Sequence, residues 1–358
     1  MELELEFLWS KIERYAERLN EIELNNKTVF LFGAGMNGSF TLESLRKNYQ
    51  IYGFIDNSSQ LWGTQKDGLM IFSVEEVKKY YNSIVIISTA SKNYKAVKDQ
   101  LESLNIECIT WFEYQLCENL DKMRCVYEML YDSYSKKTYL NLILAKVTGE
   151  QEYRNQIFSP NQYFALPEFN IPMWQEVFVD CGAYVGDTVE KYIKKRMGNF
   201  GKIIAFEPNE RVWPALEKRK DRLIEEWSLK SSDIVIEKKA IGRCGGTGSV
   251  QLDGRGNITA RVNECGSNIE INSLDEYLTT FNQNTLFIKV NIEGGEKNLI
   301  YGAEHTIRTK KPVMAISIYH KAEYIYELPM IIKTWNSSYK MSIRSHMPDD
   351  TNIVLYCY

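Results

Sequence analysis

The chain has 358 residues, of which 44% are hydrophobic and 25% charged, and its formal net charge at pH 7 is −4. This length and composition are typical of a globular protein with two domains. The acidic balance and the lack of Lys/Arg-rich blocks argue against a nucleic-acid partner. No apolar run reaches the roughly 18 residues of a membrane span, and no cationic leader precedes the acidic start, so we expect a cytoplasmic protein.

Cysteine and histidine spacing gives no sign of a metal centre. The chain has seven cysteines and three histidines, and none forms a C-x-x-C pair or an H-x-x-x-H arrangement. Zinc sites and disulfide frameworks depend on such spacings. We therefore expect reduced thiols and no metal ion bound by the protein.

The apolar runs and glycine turns predict an α/β chain in four parts. One part, a connector, shows helical periodicity followed by three prolines and several aromatic residues, and we expect it to pack onto the domain after it. The predicted parts are an amino-terminal helix in 1–26, a smaller Rossmann-like domain in 27–115, the helical connector in 116–172 and a larger domain in 173–358.

The smaller domain begins with a strand and a glycine turn. The apolar strand TVFLF leads directly into Gly33, Gly35 and Gly38, and Asp56 ends the next strand. Such a G-x-G-x-x-G turn, with an acid at the next strand end, is the context of a Rossmann-type nucleotide site. The ligand-binding role of each feature has an alternative. The glycine loop can be a tight turn without a ligand, and Asp56 followed by Asn57 can simply begin a turn. Two further strands, SIVIIST and ECITWFEY, complete the predicted domain.

The larger domain opens with the segment VFVDCGAYVGDT. Asp180 ends a short apolar strand, and Gly182 and Gly186 follow in a loop that lets the backbone approach a ligand closely. The helix after this loop favours an anion such as a carboxylate. Glu207 ends the second strand, where a ribose diol needs an acceptor with two oxygens. The spacing of the glycines favours a nucleoside with an amino-acid tail over a dinucleotide as the ligand. The simpler alternative is a strand, a loop and a capped helix that bind no ligand.

The rest of the larger domain alternates strands and helices. This pattern predicts five parallel strands and a carboxyl-terminal hairpin. The glycine-rich stretch 244–272 is typical of an inserted β-hairpin, and Ser273 with Glu276 forms a capping box for the next helix. The domain is therefore predicted to be a mostly parallel sheet with an antiparallel edge.

Six short blocks of the sequence resemble the FkbM family of S-adenosylmethionine-dependent methyltransferases over roughly residues 120–358. In order they are FVDCGAYVGDT, AFEPNE, AIG, SLDEYL, IKVNIEGGE and YHK. The resemblance implies a class I methyltransferase fold, S-adenosylmethionine as the cofactor, and methylation of a hydroxyl of a sugar, a glycan or a related metabolite. The amino-terminal unit resembles the Rossmann-like domain in front of sugar-modifying enzymes, where it can hold a nucleotide-sugar.

One position departs from the usual pattern of that family. Where the family has an acid two residues after the block's lysine, this chain has Asn291 after Lys289. An amide can keep a hydrogen bond but cannot act as a base. The residues predicted to bind the cofactor are Asp180, Gly182, Ala183, Gly186, Asp187, Thr188, Glu207 and Asn291.

Methyl transfer to a hydroxyl needs an aligned oxygen and a proton acceptor, so we look for a base near the strand ends. His320 follows the apolar strand MAISIY and is the first candidate, with a structural role as its alternative. Lys289 is a weaker base candidate, and its alternative is an ion pair with Glu293. Glu293 is a further catalytic candidate, while Glu296 is equally suited to capping a helix. His346 is expected on a surface hairpin.

Two other functional hypotheses remain beside an O-methyltransferase. The first is a methyltransferase-like protein with little turnover that binds a nucleotide-sugar, which Asn291 favours. The second is an NAD(P)-dependent sugar oxidoreductase that uses the amino-terminal glycine turn; the missing second half of that domain and the lack of a Tyr-x-x-x-Lys pair argue against it. The expected partner is a small-molecule or glycan acceptor, and the chain is compatible with a homo-oligomer.

Overall fold

The computed structural model describes residues 2–19, 24–171, 175–252, 260–263, 268–279, 286–348 and 351–358. It divides into two compact units. The first comprises Met1–Phe158, Lys321–Glu323 and Met347–Thr351, and the second comprises Ser159–His320, Tyr324–His346 and Asn352–Tyr358.

The first unit alternates strands and helices and then ends in a run of helices. Its elements are α1 (Glu2–Leu19), β1 (Thr28–Phe32), α2 (Met36–Leu45), β2 (Ile51–Ile55), β3 (Gln65–Lys66), β4 (Leu69–Phe72), α3 (Val74–Val77), β5 (Ser83–Ile87), α4 (Tyr94–Ser103), β6 (Cys108–Thr110), α5 (Trp111–Met129), α6 (Ser133–Thr148) and α7 (Gln151–Asn155).

The described strands of the first unit form a six-stranded sheet in the order β3-β4-β2-β1-β5-β6. All neighbours are parallel except β3 and β4. The central strands are continuous apolar runs because helices need to cover both faces of a parallel sheet; Phe30 and Leu31, for example, are fully buried. This order places β1 between β2 and β5. The strands β2 to β4 therefore lie on one side of β1, and the chain then crosses to the other side to form β5 and β6.

Three details of the first unit differ from the prediction. The segment ECITWFEY is a strand only as far as Thr110, because Thr110 and Glu113 form a capping box that starts α5 at Trp111. The short strands β3 and β4 lie in a stretch for which no strand was predicted. The helices of the expected connector, α5 to α7, group with the first unit and not with the larger domain.

The second unit is a longer alternation of strands and helices with a small inserted sheet. Its elements are β7 (Val177–Cys181), α8 (Asp187–Arg196), β8 (Lys202–Phe206), α9 (Trp213–Glu226), β9 (Ile234–Glu237), β10 (Ala240–Ile241), β11 (Gly246–Leu252), β12 (Ala260–Asn263), β13 (Ile269–Asn272), α10 (Leu274–Leu278), β14 (Leu286–Val290), α11 (Glu296–Tyr301), α12 (Glu304–Lys310), β15 (Val313–Ser317), α13 (Tyr324–Trp335), β16 (Met341–Ser345) and β17 (Ile353–Cys357).

The main sheet of the second unit has the described strands in the order β16-β17-β15-β14-β7-β8-β9. The five strands from β15 to β9 are parallel, and the terminal hairpin β16–β17 is antiparallel. The predicted fold is thereby confirmed. Aromatic side chains fill the space between this sheet and α8, where the rings of Phe178 and Tyr192 stack with centroids 4.2 Å apart. Such stacking adds to the burial of large apolar surfaces.

The inserted segment pairs largely as predicted. Strands β11 and β12 form an antiparallel hairpin within a second sheet of order β10-β13-β11-β12, and Ser273 with Glu276 caps α10. Parts of the predicted hairpin (253–259 and 264–267) and the predicted boundary at 172/173 lie outside the described residues. Among the helices that the structure describes, none combines the length and apolarity needed to cross a membrane.

Candidate functional site

The predicted site residues of the second unit follow the carboxyl ends of four adjacent parallel strands. The glycine loop follows β7, Glu207 follows β8, Asn291 and Glu293 follow β14, and His320 follows β15. Because these strands are neighbours in the sheet, their ends meet at one edge. Ligands of open α/β sheets bind at this edge, where the chain leaves the central strand toward opposite sides.

A buried ion pair joins the two central strands of this edge. Lys289 lies directly opposite Asp180 in the register of β14 and β7, and its Nζ is 2.8 Å from the Asp180 carboxylate. The same ammonium donates a 2.6 Å hydrogen bond to the carbonyl oxygen of Gly182. Burial raises the pKa of Asp180, which Lys289 opposes. Burial disfavours the Lys289 ammonium, but Asp180 outweighs this and raises the pKa of Lys289. The pair thus fixes the start of the glycine loop.

The structure pairs Lys289 with Asp180 and not with Glu293. This pairing favours the protonated ammonium of Lys289 over the neutral amine that a base requires. Asp180 is fully buried, and its carboxylate faces this cation. Lys289 holds the loop through its hydrogen bond to Gly182, and Asp180 holds Lys289 in place.

The glycine loop is packed tightly against its surroundings. A Cβ on Gly182, whose φ is +87°, would lie 1.9 Å from the carbonyl oxygen of Asn291, so only glycine lets the β7 loop approach the end of β14. The N–H groups of Gly182 and Ala183 both donate to the carbonyl of Phe206 at the end of β8. Gly186 is the N-cap of α8, with a φ of +79°.

The two residues after the loop differ in exposure. Asp187 is exposed in the first turn of α8, and Thr188 beside it is buried. Glu190 lies in the same turn. A helix start normally attracts anions. Glu190 is paired with Lys194, Arg219 and Arg222. Asp187 is therefore the acid of this turn that offsets the attraction for anions.

Glu207 is a rigidly held hydrogen-bond acceptor beside the loop. Its carboxylate accepts hydrogen bonds from the N–H of Tyr184 in the loop, at 2.7 Å, and from the N–H of Asn209, at 2.9 Å. Burial raises its pKa, against the effect of these two N–H groups. The indole of Trp213 donates to the Glu207 carbonyl oxygen at 2.9 Å. A carboxylate has about four lone-pair positions, so both oxygens can accept further hydrogen bonds from a diol.

His320 lies between two carboxylates. Its Nδ1 is 2.9 Å from Glu296 and its Nε2 is 3.6 Å from Glu293. Burial disfavours the charged ring, but Glu296 and Glu293 together raise the pKa of His320 to about 10. The two acids therefore favour the protonated ring, which disfavours His320 as the proton acceptor. Glu296 also accepts a hydrogen bond from the N–H of Ile292.

The remaining residues after β14 lie close to this cluster. Glu293 has a φ of +56°, and 24% of its side chain is exposed, whereas Glu296 is fully buried. The hydroxyl of Tyr319 donates a long, 3.4 Å hydrogen bond to Oδ1 of Asn291. Glu293 is thus the carboxylate of this cluster that a substrate can reach, and Asn291 presents an amide oxygen beside it.

The predicted residues of the first unit also meet at a strand edge. Gly33, with a φ of +109°, follows β1, and a Cβ on Gly38 would lie 2.0 Å from the Gly33 carbonyl oxygen. Gly35 caps α2 without a side-chain hydrogen bond. Asp56 follows β2 and accepts a hydrogen bond from the N–H of Ala34.

His346 is not on the surface as predicted. It is 6% exposed, its Nδ1 lies 2.6 Å from the Ser159 carbonyl oxygen and its Nε2 lies 2.8 Å from the Tyr356 hydroxyl. Burial lowers its pKa to about 4, so it is a neutral core residue. In the part of the chain that the structure describes, no group of three or more His, Cys, Asp or Glu side chains is placed to hold a metal ion.

Sequence reasoning missed several residues of the site. Tyr184 and Asn209 act through their backbone N–H groups, which no residue type reveals. Trp213 could have been noticed, because it follows the strand-end acid by six residues and Trp62 follows Asp56 by the same interval.

Comparison with known proteins agrees with this geometry. Residues 180–340 match the family model described as Methyltransferase FkbM domain. The chain carries an FkbM methyltransferase domain. Residues 25–109, ahead of the FkbM domain, match the model described as C2185-like, N-terminal. Comparison with curated protein sequences gives no match.

One solved structure shares the fold of nearly the whole chain, and two others match parts of it with low TM-scores. The methyltransferase FkbM from Methylobacillus flagellatus KT is 19% identical, with 98% of this chain and 99% of that chain covered and a TM-score of 0.61. Aeropyrum pernix fibrillarin with natively bound S-adenosyl-L-methionine is 12% identical, covering 52% and 69%, with a TM-score of 0.30. UDP-D-quinovosamine 4-dehydrogenase from Vibrio fischeri is 26% identical, covering 24% and 76%, with a TM-score of 0.21. The FkbM domain thus has a class I methyltransferase fold.

Proposed function

We propose that the chain is an S-adenosylmethionine-dependent O-methyltransferase that acts on a hydroxyl of a sugar, a glycan or a related metabolite. The observation that carries this proposal is Glu207, a strand-end carboxylate that two backbone N–H groups hold beside a glycine loop. A ribose diol requires such a fixed acceptor with two oxygens. The resemblance of the sequence blocks to sugar-directed FkbM enzymes suggests the acceptor class.

The residues at the strand edge fit this cofactor. Glu207 would accept hydrogen bonds from the ribose hydroxyls, the loop from Gly182 to Gly186 would lie under the amino-acid tail, and Asp187 provides negative charge near the start of α8. When bound, S-adenosylmethionine supplies an electrophilic methyl group. The ion pair of Asp180 and Lys289 keeps the loop in place through the hydrogen bond from Lys289 to the carbonyl oxygen of Gly182.

Glu293 is the proposed proton acceptor. A hydroxyl becomes strongly acidic as its oxygen takes up a methyl group, so a nearby carboxylate suffices to accept the proton. Glu293 is the more exposed acid of its cluster. The ring of His320, which is buried, contacts its carboxylate through Nε2 and holds it in place. His320 is therefore a positioning residue in this scheme, and Asn291 presents a hydrogen-bond acceptor to the substrate.

Methyl transfer to a panel of sugars and nucleotide-sugars tests this function. The full chain is incubated with radiolabelled S-adenosylmethionine, and the labelled product is analysed for a methyl ether. We expect Glu293→Gln to lower kcat by about 10²- to 10⁴-fold, the usual range for general-base catalysis, with S-adenosylmethionine affinity within twofold of the wild type.

The control is Glu304→Gln, which removes an exposed carboxylate of α12 that pairs with Arg308. It should leave kcat unchanged. A label on nitrogen or on a carboxylate of the product, or full activity of Glu293→Gln, would overturn the proposed reaction.

A further inference from the structure

The turn between β14 and α11 holds Glu293 in a backbone conformation that glutamate does not favour. Glu293 has a φ of +56° and Gly294 after it a φ of +98°, so two consecutive residues are left-handed. Glycine adopts such angles freely, whereas the Cβ of glutamate comes too close to a carbonyl oxygen. Residues in this conformation persist only where their surroundings fix them. The contacts of this turn therefore decide where the Glu293 carboxylate lies.

The His320 ring attracts that carboxylate but does not fix its direction. The Nε2 of the ring is 3.6 Å from Glu293, whereas its Nδ1 is 2.9 Å from Glu296. A separation of 3.6 Å is too long for a directional hydrogen bond. The ring therefore provides charge beside Glu293, and the backbone of the turn has to provide the direction.

A buried tyrosine hydroxyl holds this backbone. Tyr324, the first residue of α13, is 2% exposed, and its hydroxyl donates a 2.5 Å hydrogen bond to the carbonyl oxygen of Gly294. Gly294 is also buried, and a buried carbonyl group needs a hydrogen-bond partner. The carbonyl that Tyr324 holds belongs to the peptide group directly after the two left-handed residues. The hydroxyl therefore fixes the orientation of that peptide group.

The segment before Glu293 is fixed separately. The N–H of Asn291 donates to the carbonyl oxygen of Cys181, at the end of β7, over 3.0 Å. Glu293 thus lies between this anchor and the one that Tyr324 provides. Without the later anchor, Glu293 can relax toward a conformation that glutamate prefers, because the glycine after it adapts to many backbone angles. Its carboxylate would then move relative to the His320 ring while the end of β14 stays in place.

We propose that Tyr324 is a positioning residue for Glu293: its hydroxyl holds the Gly294 carbonyl and thereby keeps Glu293 in the left-handed conformation that places its carboxylate at the substrate. This inference rests on the proposed function, in which Glu293 accepts the proton of the substrate hydroxyl. Tyr324 is buried and acts through the backbone of the turn.

Methyl-transfer kinetics of Tyr324→Phe test the inference, because this substitution keeps the buried ring and removes only the hydroxyl. We expect kcat to fall about ten- to a hundredfold and KM to stay within about twofold, since a misplacement of about 1 Å can cost about 10²-fold in rate. In a Glu293→Gln background the same substitution should change kcat less than about twofold, because effects that act through one residue are not additive. The full loss of kcat in that background would overturn the proposal.

Tyr339→Phe is the matched control. Tyr339 is also buried, and its hydroxyl donates a 2.8 Å hydrogen bond to the carbonyl oxygen of Pro312. Both variants therefore remove a hydroxyl from a buried backbone carbonyl, and we expect similar losses in the free energy of unfolding. Only Tyr324→Phe should lose kcat. Equal kcat values for the two variants would show that Tyr324 is merely structural.

Histidine NMR tests the same inference without methyl transfer, since the chain has only three histidines. Glu296 and Glu293 together raise the pKa of His320 to about 10. If Tyr324→Phe releases Glu293, the titration midpoint of His320 should fall by about half a unit or more, because a nearby opposite charge is lost. Tyr339→Phe should leave the midpoint unchanged. An unchanged midpoint in Tyr324→Phe would overturn the inference, whereas a lowered midpoint without any methyl transfer by the wild type would overturn the proposed function alone.

Discussion

At the scale of single residues, the charge state of His320 decides how the site works. A histidine at a strand end was the natural candidate for a base, but its two acidic neighbours, Glu293 and Glu296, keep it protonated. The same interaction lowers the pKa of Glu296, although burial works in the opposite direction. The cluster is therefore a buried ion pair with one more accessible acid beside it, and that acid, Glu293, is the proposed proton acceptor.

This charge state predicts how the stability of the protein depends on pH. The pKa of His320 rises on folding, so its contribution is complete below its unfolded value of about 6.5 and is lost as the pH rises toward 10. The lowered pKa of Glu296 makes its contribution complete above about 4.5. We expect His320→Gln to cost about 3 kcal/mol near pH 6, and progressively less up to pH 10, in urea unfolding.

The matched control is His305→Gln, which changes an exposed histidine of α12. This variant should lose little free energy of unfolding at any pH. A loss for His320→Gln that stays constant from pH 6 to pH 10 would show that the ring is neutral in the folded protein.

At the scale of elements, the loop after β7 and the end of β14 are one packed structure. Gly182 lies against the carbonyl of Asn291, and Lys289 reaches from β14 to the carbonyl of Gly182. The loop thus depends on close approach of two backbones. A side chain at Gly182 would displace Asn291 and with it the proposed proton acceptor, Glu293.

Gly182→Ala should therefore be severely destabilising. The new Cβ would lie 1.9 Å from a backbone oxygen and would occupy a left-handed conformation, so we expect a loss of about 3 kcal/mol or more in the free energy of unfolding. Gly35→Ala is the control in the other glycine loop. Nothing lies within 4 Å of its Cβ position, and the expected change is within about 1 kcal/mol. Equal losses in denaturant titrations of the two variants would contradict the packing described for Gly182.

Most elements could be predicted from the sequence, because their signals are local. Apolar runs predicted β1, β2, β5 and the strands of the main sheet, and glycine loops marked the ends of β1 and β7. The start of α5 was missed although Thr110 and Glu113 form the same kind of capping box that was recognised at Ser273. The aromatic residues of TWFE are typical of a strand, and this pattern was given more weight than the capping box.

Contacts between strands could not be predicted, because they depend on register. The alternation within β14 suggested Glu293 as the partner of Lys289, but the true partner, Asp180, lies opposite it on β7. The burial of His346 depends in the same way on Ser159 and Tyr356, which are remote in sequence. Residue types at strand ends therefore located the site, while the charge states within it required the structure.

At the scale of the whole molecule, two units repeat one arrangement of strand, glycine loop, helix and strand-end acid. In the FkbM domain the cluster of Glu293, Glu296 and His320 follows the neighbouring strands. In the first unit the helix after the glycine loop has no acid of its own in its first turn, and Ser39 of that turn donates a hydrogen bond to Asp67.

The most direct test of the account is calorimetric titration of the full chain with S-adenosylmethionine, compared with Glu207→Gln. We expect the wild type to bind S-adenosylmethionine and the variant, still folded, to bind it at least about tenfold more weakly, since a hydrogen bond to a charged group contributes roughly 1.5–3 kcal/mol. Glu226→Gln, which removes an exposed partner of Arg222 in α9, should bind like the wild type. Equal affinity of wild type and Glu207→Gln, or no binding to the folded wild type, would contradict the central claim.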